Sequence, residues 1–507
     1  MGFIDAITNE LNNETKLTEN GAVAYRTSGK KLLDLNFAVA SLRGASEQEI
    51  INKFMDAYWE NPTLAIKWLF YNRDVRQGLG ERRTFRVILK HLASEQAEMI
   101  KELIVLISEY GRYDDLWCLL DTELKENVVS AVHKQLGEDH MNMFDNKPIS
   151  LLCKWLPSQN CSSKETKRYA TIIRQGLEMT PKAYRKMLSS MRKYIDVVEC
   201  KMSAKEWNAI NYETVPSRAN LIYNNAFLRN DEERRREYLG ALEKGEVKIN
   251  ASTLFPHDII HKYMSGGSWS QSLKSHDATL EGLWKALPDT VKGAENTIVV
   301  ADGSGSMTCN VGGNTKVTAL DVANALAIYF AERASGEFKN KYITFSHRPQ
   351  LVDFSNAKSL HDKIGIALRH NEVADTNIEA TFDLILKTAV NNNMSQEDMP
   401  KNILIISDME FNSACCYRPN ETLFASITNK YAILGYKLPR LIFWNVNSRT
   451  GTIPVKENDL GVALVSGFSV NVVNMVMSNK LDPYECLLDV LNTERYQPIE
   501  DAIKDTI

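Results

Sequence analysis

Asn296-Thr297-Ile298-Val299-Val300-Ala301-Asp302-Gly303-Ser304-Gly305-Ser306-Met307 decides how the carboxyl half of this chain reads. An unbroken apolar run of strand-forming residues, without polar alternation, is the pattern of a strand buried on both faces. It ends on an acidic residue and passes into a turn that carries two glycines. Moving outward, helical spacing runs from about Val317 to Ala334. Strand-like Tyr342–Phe345 and Gln350–Phe354 follow, then helices near 356–369 and 377–391. The apolar run Ile403-Leu404-Ile405-Ile406 leads to Asp408. A helix near 421–436 precedes Leu441–Trp444, and Val462–Val465 comes before a last helical stretch. Apolar runs alternating with helices specify an α/β, doubly wound arrangement with a mostly parallel sheet covered on both faces. Ligands of such sheets sit beyond the carboxyl ends of the strands.

Asp302, Ser304 and Ser306 form Asp-x-Ser-x-Ser on that turn, so alternate residues aim one carboxylate and two hydroxyls at one point. Hard oxygen donors around a point suit Mg2+ or another divalent cation of that kind. Two further oxygens are expected from neighbouring strand ends: Thr376, which opens a helix in Ala374-Asp375-Thr376-Asn377-Ile378, and Asp408, which closes a strand. Asp375 and Asn377 flank Thr376 and offer the same donor type. The plain alternative is a serine-rich turn without an ion.

Before residue 290 the pattern is different. Ile50-Ile51-Phe54-Met55-Tyr58, Leu64-Trp68-Leu69, Val87-Ile88-His91-Leu92 and Ile100-Leu103-Ile104-Ile107 carry apolar residues at helical spacing. Such segments follow one another with short polar breaks, the layout of an all-α helical-repeat solenoid or ring. The expected division is a helical domain over 1–290 and an α/β domain over 291–507.

Several motifs of the first half also match a family pattern. They include Gln77-Gly78-Leu79-Gly80-Glu81-Arg82-Arg83, Gly111-Arg112-Tyr113-Asp114-Asp115-Leu116-Trp117 and Lys154-Trp155-Leu156-Pro157-Ser158. Followed by Asp-x-Ser-x-Ser, this order resembles the TROVE family, which contains the Ro RNA-binding autoantigen and its bacterial and phage relatives. The resemblance covers about residues 15 to 475. The second half resembles a von Willebrand factor A domain, with Asp302, Ser304, Ser306, Thr376 and Asp408 at the positions of its metal-ion-dependent adhesion site. It implies a helical ring that binds small noncoding RNA and single-stranded RNA ends. It also implies an ion with one position open to an acidic protein partner.

On its own terms, residues 154 to 193 carry ten Lys or Arg against two acids, Glu165 and Glu178. Lys164, Lys167, Arg168 and Arg174 fall on one helical side, as do Lys182, Arg185, Lys186 and Lys193, with Arg192 nearby. Such cations neutralise phosphates, and Tyr169, Tyr184 and Tyr194 lie among them for stacking on bases. The plain alternative is a pair of solvated helix faces over a tyrosine core. Arg73, Arg76, Arg82, Arg83 and Arg86 make a second basic cluster, which lines a hole or pairs with Asp74 and Glu81. Arg112 with Asp114 and Asp115 reads as an architectural network at a helix start.

The 507 residues exceed one hydrophobic core, and 44% apolar with 24% charged is the balance of a globular chain. Sixty basic against 64 acidic side chains, a formal charge of −4, exclude a uniformly basic nucleic-acid coat. No apolar run of about 18 residues exists, so no membrane span is expected. Met1-Gly2-Phe3-Ile4-Asp5 lacks a signal-peptide layout. Cys118, Cys153, Cys161, Cys200, Cys309, Cys415, Cys416 and Cys486 form no CxxC pair, which points to reduced thiols in a cytoplasmic chain. His257 and His261 share a helical face, but Asp258 stands where a zinc protease needs Glu. No His is placed near Ser304 or Ser306, so no enzyme is read. The expectation is a monomeric RNA-binding protein with a Mg2+ site, and the alternative a metal-dependent protein-interaction scaffold without RNA.

Overall fold

The computed structural model describes residues 15–265, 272–291, 296–312, 316–345, 348–371, 377–412, 423–454, 462–472 and 482–506. These residues are mostly helical, with a six-stranded mixed sheet in the carboxyl half. They fall into two compact units. One takes the described parts of 1–60 and 251–492; the other takes 61–250 with the described part of 493–507.

The units therefore do not divide at 290, where the sequence pattern changes. Helix Lys31–Phe37 buries Leu32, Leu33 and Leu35 within the sheet-containing unit. There Asn445 Nδ2 donates to the Phe37 carbonyl at 2.8 Å, and the Ala40 amide donates to Ser466 Oγ at 3.0 Å. Helix Pro256–Tyr263 joins helix Ala319–Arg333 through His261 Nδ1 and Asp321 Oδ2, 3.0 Å apart. Local periodicity reports helix type and carries no record of such distant partners.

In chain order, β1 (Thr15–Leu17) and β2 (Val23–Tyr25) form an antiparallel hairpin, and β3 (Met264–Ser265) pairs with β4 (Ser272–Leu273). The main sheet comprises β5 (Thr297–Asp302), β6 (Lys341–Phe345), β7 (Leu351–Asp353), β8 (Asn402–Ser407), β9 (Arg440–Asn445) and β10 (Val462–Ser466). Its spatial order is β10-β9-β8-β5-β6-β7, parallel throughout except for the β6–β7 edge. Every residue of β5 is buried, which is why its sequence is an unbroken apolar run.

Both faces of the sheet are covered. Phe443 lies 4.6 Å from Phe424 of helix Leu423–Ile433, while its neighbour Trp444 lies 5.5 Å from Phe330 of helix Ala319–Arg333. Consecutive strand residues face opposite ways, so these two helices lie on opposite sides. Ala319 through Ala331 are buried without interruption; the alanines let this helix lie close against the sheet. From β5 the chain places β6 and β7 on one flank, then returns to add β8, β9 and β10 on the other. The order reverses between β5 and β8, the position at which parallel sheets of this kind hold ligands.

The other unit is helical. Helix Pro62–Arg73 starts on an Asn61 side-chain cap and is buried along most of its length, including Trp68. Helix Gln497–Ile503 belongs to this unit, and its Glu500 accepts from the buried Lys67 Nζ at 2.8 Å. Arg495 pairs with the fully buried Asp74, which also accepts from the Tyr496 hydroxyl at 3.2 Å. Among the described residues, no helix is long and apolar enough to cross a membrane.

Candidate functional site

The carboxyl ends of β5 and β8 bring together four of the five residues predicted as metal ligands. In the β5–β8 register Ala301 lies opposite Ile406, so the next residues, Asp302 and Ser407, end the two strands side by side. Asp302 Oδ2 accepts from Ser407 Oγ at 2.6 Å, and Oδ1 accepts from the Ser304 amide at 2.9 Å. Ser304 Oγ lies 3.0 Å from Ser306 Oγ, and the Ser306 hydroxyl hydrogen-bonds the Asp408 carboxylate. Asp302, Ser304 and Asp408 are buried and Ser306 is half-buried, so the cluster opens at Ser306. Thr376 and its neighbour Asp375 lie outside the described residues, as do Cys415 and Cys416.

Two buried carboxyls meet here. Burial, followed by the charge of Asp408, raises the Asp302 carboxyl above the usual aspartate range. Burial likewise raises Asp408, against the lowering effect of the Ser306 hydrogen bond and the Arg449 charge. Arg449 Nη2 lies 3.4 Å from Asp408 Oδ2. Met409 adopts a left-handed backbone (φ 63°), unusual for a side chain of its size, and the Glu410 amide that follows donates to Asp408 Oδ1 at 3.2 Å. The donors are all hard oxygens, two carboxylates and two hydroxyls, which fits a small divalent cation. Among the described residues, no group of three or more His, Cys, Asp or Glu side chains is gathered for a metal.

Glu410, missed by sequence reasoning, is the hub beside the site. Its fully buried carboxylate accepts from the amides of Glu19, Arg449 and Thr450, each at 2.8 Å, and from Thr450 Oγ1 at 2.9 Å. Asn20 Nδ2 donates to its carbonyl at 2.6 Å, and Tyr25 exchanges two backbone hydrogen bonds with Ile453. The β1–β2 hairpin is thereby fixed to the carboxyl edge, with Glu19 paired to Arg449. A glutamate two residues beyond a strand-end aspartate was the one signal in the sequence.

The predicted RNA-contacting residues lie on helices Lys164–Gly176 and Pro181–Tyr194. Lys164, Lys167, Arg185, Lys186 and Lys193, with Lys182, lie on the outer faces of these helices and form no ion pair among the described residues. The remaining three are engaged. Arg168 is bound through both terminal nitrogens to Asp121, at 2.5 and 2.7 Å. Arg174 donates to the Met179 carbonyl at 2.6 Å. Arg192 donates to the carbonyls of Cys153 and Leu156 and to Ser158 Oγ, closing the end of helix Leu152–Trp155. Tyr184 is buried and donates to Pro157, Tyr194 donates to Lys147, and Tyr169 shares Asp121. The tyrosines are thus spent on packing and hydrogen bonds within the unit. His257 is buried against Phe255 and Phe468, while His261 faces Asp321.

The motifs that suggested a family resemblance have local causes. A Cβ on Gly78 would meet the Tyr71 carbonyl oxygen at 2.0 Å, and one on Gly111 would meet Asp115 Oδ2 at 2.5 Å. Gly-Arg-x-Asp-Asp serves a charge network around the buried Asp115, and Asp-x-Ser-x-Ser serves a turn at a sheet switch point.

Comparison with known proteins corrects the family resemblance. Residues 296–501 match the family described as Domain of unknown function (DUF7788), and residues 18–101 with 149–296 match Domain of unknown function (DUF2828). The chain is 28% identical over 522 residues to an uncharacterised protein of Acanthamoeba polyphaga mimivirus, covering 95% of this chain and 88% of that one. The matching families are these two, neither TROVE nor von Willebrand factor A, and membership of those two families does not hold. Short motifs report local geometry, which unrelated chains share; similarity along the chain reports kinship.

Proposed function

We propose that this protein works by binding, through a divalent cation, Mg2+ by the chemistry of its donors, held at the carboxyl ends of β5 and β8. One observation carries the reading: Asp302 and Asp408 are buried side by side, with the buried Ser304 and half-buried Ser306 hydroxyls between them. Buried like charges are costly unless a cation compensates them. Asp302 and Asp408 would hold the ion, and Ser304 and Ser306 would complete its protein shell. The half-buried Ser306 side is where an acidic group of a partner would reach it. A bound cation supplies positive charge for an oxygen ligand. The serine hydroxyls hydrogen-bond the two carboxylates and offer further oxygens to the ion. Calorimetric titration with MgCl2 tests this: saturable binding is expected, lost in Asp302→Asn and weakened in Ser306→Ala. Equal binding by all three proteins would refute it.

A second reading concerns RNA. Its support is the run of basic side chains that form no ion pair among the described residues, Lys164, Lys167, Lys182, Arg185, Lys186 and Lys193. On this reading the helical repeat grips small noncoding RNA by its backbone. Neutralising Lys164, Lys167 and Lys186 would lower the slope of log affinity against log salt by about 0.7 for each phosphate that is no longer neutralised. An unchanged slope and affinity would remove these residues from the account.

A further inference from the structure

The helical unit holds a network of arginines that converge on Asp114 and Asp115. Asp115 is fully buried; Arg73 Nε (2.8 Å) and the Arg112 amide (2.9 Å) donate to Oδ2, and Arg86 Nε (2.7 Å) donates to Oδ1. Asp114 Oδ2 meets Arg86 Nη2 at 2.9 Å and also pairs with Arg112, whose Nε reaches Oδ1 at 2.7 Å. Three guanidinium groups thus converge on two carboxylates. A fourth joins them. Arg82 stands one turn before Arg86 at the start of the same helix, Arg83–Glu95, which puts both on one side. Arg82 makes no side-chain hydrogen bond or ion pair among the described residues. Arg82 is an exposed residue whose guanidinium is pushed down to about 10 by partial desolvation and by the Arg112, Arg73 and Arg86 charges, with Asp114 offsetting only part.

Four guanidinium groups gather around Asp114 and Asp115, with the buried Glu81 beside Arg82 in sequence, and like charges so close repel one another. The start of helix Arg83–Glu95 has no side-chain cap, so its first-turn amides and the helix dipole add to the same potential. The guanidinium groups are also held in place: Arg86 by Asp115, and Arg112 by Asp114 and by the Trp155 ring, 3.8 Å from its Cζ. The Arg82 fork, with the N–H groups of Arg86 and Arg112 that the two carboxylates leave unused, can meet the oxygens of a phosphate group.

The geometry points to a phosphate-binding site formed by Arg82, Arg86 and Arg112, for free phosphate or the phosphate of a phosphoester. It stands apart from both functional readings, since it uses neither the strand ends of β5 and β8 nor the basic faces of residues 164–193.

Because the Arg82 side chain is bonded to none of the described residues, Arg82→Gln removes the recognition element without disturbing the Asp115 network. The test titrates the full chain with inorganic phosphate, against chloride of matched ionic strength, and separately with a short single-stranded RNA. Wild type is expected to bind phosphate saturably. Arg82→Gln is expected to weaken it at least tenfold, Arg82→Lys by less, and Lys186→Gln not at all. A parallel loss of RNA affinity in Arg82→Gln identifies the ligand as a backbone phosphate; a loss for inorganic phosphate alone identifies the free anion. Absence of saturable phosphate binding by wild type, or equal binding by Arg82→Gln with an intact fold by circular dichroism, overturns the proposal.

Discussion

Replacing Asp302 with Asn should stabilise the metal-free protein and abolish its response to Mg2+. The side chains are isosteric. Asn keeps an oxygen for the Ser304 amide, while its amide nitrogen turns to Ser407 Oγ, a hydroxyl that can accept as well as donate. What disappears is a carboxylate buried beside Asp408. Burial and that neighbour raise the Asp302 carboxyl in the folded chain, so its ionisation opposes folding. Wild type therefore loses stability as pH rises from the ordinary aspartate range toward neutrality, and the Asn variant lacks that loss. Every tenfold tightening of proton binding in the folded chain is worth about 1.4 kcal/mol, which puts the gain at neutral pH on the order of 2–4 kcal/mol. With Mg2+ at a hundredfold excess over its Kd the wild type gains about 2.7 kcal/mol and the variant nothing, so the difference between them closes or reverses. Urea denaturation of both proteins, at acidic and neutral pH and with or without Mg2+, measures all of this. A metal-free variant less stable than wild type at neutral pH would refute the reasoning, since the carboxylate would then be contributing to the fold.

Three further outcomes are expected. Asp115→Asn leaves the Arg73 and Arg86 guanidinium groups short of charge in a buried network and should cost about 3–5 kcal/mol. For a unit of this size that lowers Tm by roughly 6–20 °C in a calorimetric scan. Gly78→Ala drives a Cβ against the Tyr71 carbonyl at 2.0 Å and should cost more than about 2 kcal/mol by urea denaturation; a neutral result would contradict the turn geometry. Glu410→Ala removes the acceptor shared by the amides of residues 19, 449 and 450. Hydrogen exchange at residues 15–25 should rise well above wild type, while exchange in β5 and β8 stays slow.

The carboxyl half was legible because its strands are buried on both faces: Ile298–Ala301, Ile403–Ile406 and Leu441–Trp444 need no tertiary context to read as strands. Asp302 and Asp408 were legible as partners because adjacent parallel strands must end on one edge. Distant partnerships were not. Nothing local in Lys31–Phe37 announces that it packs in the sheet-containing unit. Nor does anything in the basic sequence 164–193 distinguish Arg192, spent on carbonyls, from Lys186, which forms no ion pair among the described residues. Glu410 reads as an ordinary surface acid until the left-handed Met409 buries it. The Gly-Arg-x-Asp-Asp motif misled in the opposite direction, because a charge network was read as kinship.

The divalent-cation site is tested most directly by anomalous scattering from crystals grown with Mn2+, an oxygen-seeking ion visible where Mg2+ is not. The account predicts a single strong peak bounded by Asp302, Ser304, Ser306 and Asp408, absent in Asp302→Asn crystals. Full-strength manganese elsewhere, with no peak among those four side chains, would contradict it.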